Sequence, residues 1–74
     1  MKSRFKYTKH ALEKIERRGI TKKKIREVVL KAQNRITQEN RKIKATYTEN
    51  GNKISVIYRV KGNVITIITT FYGD

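Results

Sequence analysis

The hydrophobic period of this chain changes once, and that change constrains the fold more than any other feature. Up to about Lys31 the apolar residues recur at helical spacing; after about Arg35 they alternate. Thr8 suits an N-cap for a helix running to about Arg18, with Ala11, Leu12 and Ile15 as its apolar stripe. Gly19 stands where a left-handed residue ends such a helix. Thr21 caps a second helix ending near Lys31 or Ala32, with Ile25, Val28, Val29 and Ala32 spaced at i, i+3, i+4 and i+7.

The second half reads as strands. Ile36 lies in a short candidate, and Ile43, Ala45 and Tyr47 alternate with Lys42, Lys44, Thr46 and Thr48. Asn50-Gly51-Asn52 and Lys61-Gly62-Asn63 are turn signals. Between them Ile54, Val56, Tyr58 and Val60 alternate with Ser55, Ile57 and Arg59. Beyond them Val64–Tyr72 is β-branched and aromatic, as a central strand should be. Met1–Tyr7 reads either as a frayed end or as an extra edge strand. With no proline, linker or repeat, the expectation is one α+β domain over residues 1–74. Its two N-terminal helices pack on one face of a small antiparallel β-sheet of three to five strands. Leu12, Ile15, Ile25, Val28, Val29, Ile65 and Ile67 are the expected core.

Composition narrows the function. A chain of 74 residues buries only roughly 60% of its unfolded surface. It has no cysteine, so neither a disulfide framework nor a thiolate site stabilises it, and one histidine with six scattered carboxylates argues against zinc or calcium. No metal or other cofactor is expected. The longest apolar stretch, Val64–Tyr72, is too short to span a bilayer. Lys2 and Arg4 lead into no apolar run of the secretory kind, so the expectation is a soluble cytoplasmic protein with no membrane partner. Nineteen Lys and Arg against six Asp and Glu give a net charge of +13, spread along the chain. Such a surface attracts polyanions, RNA foremost.

His10, Lys14 and Arg18 follow one another at i, i+4 and i+8, a single row beside the apolar stripe of the first helix. A proton-transfer group beside two cations suits attack of a ribose 2′-hydroxyl on the adjacent phosphorus, and an exposed helix face with an incidental histidine is the competing reading. Lys22, Lys23 and Lys24 occupy the first turn of the second helix, where the macrodipole disfavours cations; phosphate contact would account for them. Arg41, Lys42, Lys44, Lys53 and Arg59 place cations on the sheet, interleaved with Tyr47, Tyr58, Phe71 and Tyr72, a pattern suited to single-stranded RNA. Tyr58 and Phe71 are read as core. Arg59, between residues that all read as buried, is expected half-buried and held by a substrate phosphate or by Glu13.

The stretch from Thr8 through His10, Ala11, Lys14, Arg18, Gly19 and Ile20 to Thr21 resembles the opening signature of the DUF4258 family, roughly T-x-H-A-x-x-R-x-x-x-R-G-I-S/T. Ile54–Arg59 and Val64–Tyr72 resemble its two C-terminal strands. The resemblance implies a RelE-like fold, grouped with BrnT-like toxins in the barnase–colicin–RelE class of metal-independent ribonucleases. It implies an endoribonuclease toxin acting on RNA, ribosome-bound mRNA included, and neutralised by a cognate acidic antitoxin. Carried over by position, the family's histidine falls on His10 and its second arginine on Arg18. Its first arginine falls on Lys14, where lysine keeps the charge but loses the bidentate fork. Tyr72 loosely matches the proton-transfer aromatic on the last strand of RelE-like toxins. The expectation is that His10, Lys14, Arg18 and Arg59 converge on one concave surface within reach of Tyr72. Lys22, Lys23, Lys24, Lys44 and Tyr47 would then bind the nucleic acid. The alternative is a non-catalytic RNA-binding module.

Overall fold

Both helix starts are set by threonine. In the computed structural model, which describes residues 4–73, Thr8 caps α1 (Lys9–Arg18) by accepting the Ala11 N–H at 3.0 Å. Thr21 caps α2 (Lys22–Lys31) by accepting the Lys24 N–H at 3.0 Å. Gly19 closes α1 at φ 67, a left-handed conformation that a side chain would oppose, and its position turns Ile20 back into the core.

The strands are β1 (Arg4–Tyr7), β2 (Asn34–Thr37), β3 (Ile43–Glu49), β4 (Asn52–Lys61) and β5 (Val64–Tyr72), with a 3₁₀ turn at Glu39–Arg41 between β2 and β3. They form one sheet in the order β1-β5-β4-β3-β2. Strands β2 to β5 are the expected antiparallel meander. Asn50 and Gly51, both at positive φ, make the tight link from β3 to β4. The N-terminal segment, of which Met1–Ser3 lie outside the described residues, contributes β1 as an edge strand parallel to β5. The sheet is therefore mixed, and the arrangement α+β. Among the described residues no helix is long and apolar enough to cross a membrane.

Both helices cover one face. α1 packs on β5 and β1, and α2 on β3 and β4. Ala11, Ile20, Ile25, Val28, Val29 and Ala32 meet Ala45, Ile54, Val56, Tyr58, Ile65 and Ile67 to form the core. Ile15 is half-buried against it. Leu12 departs from expectation and is 41% exposed. α1 lies over the margin of the sheet, so the 100° step from Ala11, fully buried, carries Leu12 past the edge of its cover.

A bulge in β5 decides which residues face the helices. Ile57 pairs with Thr69 while Tyr58 pairs with Ile67, leaving Ile68 without a cross-strand partner. The alternation of β5 shifts by one there, so Ile65 and Ile67 before it share the helix side with Thr70 and Tyr72 after it. Thr70 is buried, and its hydroxyl donates to the Ser55 carbonyl at 3.0 Å.

Candidate nucleic-acid interface

With the helices on one face, the pleat assigns every other strand residue to an uncovered face. On β1 these are Arg4 and Lys6, and on β2 Asn34 and Ile36. β3 adds Lys44, Thr46 and Thr48; β4 adds Lys53, Ser55, Ile57, Arg59 and Lys61; β5 adds Val64, Thr66, Thr69 and Phe71. Six of these are cations and none is a carboxylate. The described carboxylates all lie elsewhere: Glu13 and Glu16 on α1, Glu27 on α2, Glu39 in the 3₁₀ turn, and Glu49 on the helix side of β3. The asymmetry follows from the pleat: β1 and β4 alternate basic and apolar residues, so their cations gather on one side.

Phe71 belongs to this face and not to the core. The bulge at Ile68 turns it away from the helices; it is half-buried, and the Lys44 ammonium lies 5.8 Å from the ring centroid. Tyr58, by contrast, is in the core, as expected. Around Phe71 the sheet surface is tied together by hydrogen bonds. The Ser55 hydroxyl, beneath the cross-strand pair it makes with Phe71, is fully buried and bonds to the Gly73 carbonyl and, at 3.1 Å, to Thr46.

Arg59 is exposed, not half-buried. Its neighbour Val60 is 49% exposed, because this end of β4 runs beyond the helices. Among the described residues no carboxylate pairs with the guanidinium. It shares a concavity with Asn40, Arg41, Val60 and Lys61 at the end of the sheet. Arg41 there sits at φ 62, a region that costs a non-glycine residue roughly 1–2 kcal/mol.

The α1 row is built as its spacing implies, yet Arg59 does not join it: the row stands on the helical layer and Arg59 on the opposite side of the sheet. His10 and Arg18 are exposed and Lys14 is half-buried. Tyr72 does come to the row. Its hydroxyl donates to the Arg18 carbonyl at 3.3 Å, at the C-terminal end of α1. His10 lies two turns away, about 12 Å along the axis.

The three lysines opening α2 divide. Lys22 lies 5.1 Å from the ring centroid of Tyr7. Lys24 pairs with Glu27 at 3.1 Å and with Glu49, and lies 5.9 Å from the Tyr47 ring. The hydrogen bonds to Glu49 and then Glu27 push the Lys24 ammonium up to about 12, and the same contact lowers the Glu27 carboxyl. Lys23 makes no such contact and remains open to solvent. Intramolecular partners thus account for two of the cations that break the dipole rule. Tyr47 is half-buried beneath Lys24 on the helix side, away from Lys44. Lys6 and Lys61, which the sequence reading did not single out, join the open face. The alternation of Arg4 and Lys6 with Phe5 and Tyr7 was the available signal, once β1 is known to pair with β5.

Among the described residues, no group of three or more His, Asp or Glu side chains could hold a metal ion. No curated protein and no solved structure matches the chain. A family model does: Domain of unknown function (DUF4258) matches residues 7–72, which takes in both helices, strands β2 to β5 and the residues of the α1 row, and the chain belongs to that family.

Proposed function

We propose that this protein binds single-stranded RNA along the uncovered face of its sheet. The observation that carries the reading is the separation of charge: six cations and, among the described residues, no carboxylate on one sheet face. Phe71 offers a ring for base stacking with Lys44 beside it, and Lys6 and Arg59 flank Thr66 farther along the same face for phosphates. The test is fluorescence anisotropy with a short labelled RNA in low salt. Lys6→Glu and Arg59→Glu should each weaken binding at least tenfold, whereas Lys23→Glu on α2 should change it less than threefold. No binding by the unaltered chain, or equal losses from both layers, would sink the reading.

A second reading, an endoribonuclease toxin of RelE-like kind held by an acidic antitoxin, is favoured by one observation: the Tyr72 hydroxyl against the end of the His10, Lys14, Arg18 row. In it His10 moves the proton and Arg18 stabilises charge on phosphorus, with no metal. His10→Ala should then abolish cleavage to 2′,3′-cyclic phosphate ends while leaving RNA affinity intact. If purified protein yields no such ends, this second reading is excluded and the binding reading stands alone.

A further inference from the structure

Strand β2 forms one margin of the sheet, and all four of its residues are exposed. The Gln38 N–H donates to the Lys42 carbonyl at 2.6 Å, which sets the phase of the β2–β3 ladder. Bonded pairs recur at every second residue of an antiparallel pair, so Ile36 and Asn34 bond inward across Lys44 and Thr46. The N–H and C=O groups of Arg35 and Thr37 therefore face outward.

Natural sheet edges are usually blunted by charge, proline or a covering segment. This one is not. The Arg35 guanidinium folds back onto α2, donating to the carbonyls of Val29 at 2.8 Å, Leu30 at 3.3 Å and Ala32 at 3.3 Å. Among the described residues the two most exposed large hydrophobic side chains flank the edge: Leu30 at 66%, held beside it by that clamp, and Ile36 at 58% on the uncovered face.

We propose that the β2 edge receives an extended acidic segment of a protein partner as a sixth strand. A ladder of outward N–H and C=O groups is satisfied by another polypeptide backbone, not by RNA. The charge selects which polypeptide. Residues 31–38 contain no carboxylate, and Lys31, Arg41 and Lys42 flank β2 along the chain. A second copy of the chain would bring the same cations against them, at +13 each. A segment alternating acidic and apolar residues meets the cations while covering Ile36 or Leu30. Ile36 also borders the uncovered face, but the outward backbone groups of β2 do not belong to it, so the proposal does not depend on the RNA reading.

The test is amide hydrogen exchange by NMR on the whole chain, with a capped heptapeptide alternating Glu and Val as the probe and a Lys/Val peptide as control. The Glu/Val peptide should slow exchange at Arg35 and Thr37 at least tenfold, leaving Asn34 and Ile36, already bonded inward, nearly unchanged. Thr37→Pro removes one outward donor and spares the bonds to β3, so it should weaken the peptide at least tenfold. Should that variant not fold, exchange in the unaltered chain decides the matter. Unchanged exchange at Arg35 and Thr37 overturns the proposal, whether the peptide fails to bind or binds elsewhere. So does equal protection by the Lys/Val peptide, or a free chain already dimeric with these amides protected.

Discussion

At the scale of single residues, Tyr7 against the core and Lys24 at the surface show how differently two polar groups can be satisfied. The Tyr7 hydroxyl is buried and has no hydrogen-bond partner among the described residues. An unmade bond at a buried polar group costs about 1–3 kcal/mol, so Tyr7→Phe should leave stability unchanged or raise it by about 1 kcal/mol, read from the urea midpoint. A loss of more than 1 kcal/mol would show that the hydroxyl is bonded in solution. Lys24 is satisfied twice over, and its ion pairs give stability a pH dependence of definite sign. The Glu27 pKa is lowered on folding, so its contribution is present above the unfolded value of 4.5 and fades as pH falls through the folded value. The Lys24 pKa is raised, so its contribution holds below 10.5 and is lost as pH rises toward about 12. Lys24→Gln should flatten the fall in Tm between pH 5 and pH 3 measured by calorimetry, by a small margin because the groups lie at the surface. An unchanged acid limb would show that the pair contributes nothing.

At the scale of elements, the two threonine caps look alike in sequence and differ in the structure. Thr21 only accepts the Lys24 N–H. Thr8 accepts the Ala11 N–H and also donates to the Ile68 carbonyl at 3.0 Å, so it ties α1 to the bulge of β5. Losing a cap costs about 1 kcal/mol, and Thr8→Ala should cost about 2 kcal/mol because a second hydrogen bond goes with it. Thr21→Ala should show only the first loss. Equal urea midpoints for the two variants would mean that the Thr8–Ile68 bond adds nothing. The caps were legible because they are local: a threonine before an apolar period and a glycine after it specify a helix without reference to the rest of the chain. The bulge was not, since Val64–Tyr72 reads as an unbroken strand and only its pairing with β4 leaves Ile68 without a partner.

At the scale of the whole molecule, charge dominates. Two of the described carboxylates, Glu27 and Glu49, are in ion pairs, both with Lys24. The +13 is the excess left after all six carboxylates are counted, and it is available to a polyanion. If about five phosphates are neutralised on the uncovered face, log K should fall with log salt at a slope of about −3.5 for single strands. Arg59→Ala should reduce the magnitude of that slope by about 0.7, one phosphate contact. An anisotropy titration in which Arg59→Ala leaves the slope unchanged would remove Arg59 from the interface.

The sequence alone determined the elements: two capped helices, the turns at Asn50-Gly51 and Lys61-Gly62, the alternating strands, and the row His10, Lys14, Arg18 on one helix. Each rests on periodicity or turn chemistry within a few residues, where backbone geometry leaves few alternatives. Tertiary structure decided what those elements present to one another. Arg4–Tyr7 became a strand only by pairing with β5, sixty residues away in sequence. Leu12 was left exposed by the position of α1 at the sheet margin. Phe71 and Arg59 changed sides or cover relative to the expected core, because a one-residue bulge and the reach of the helices govern them. A strand's alternation says that two faces differ; which face is buried depends on where distant helices come to lie, and that is set by packing across the whole chain.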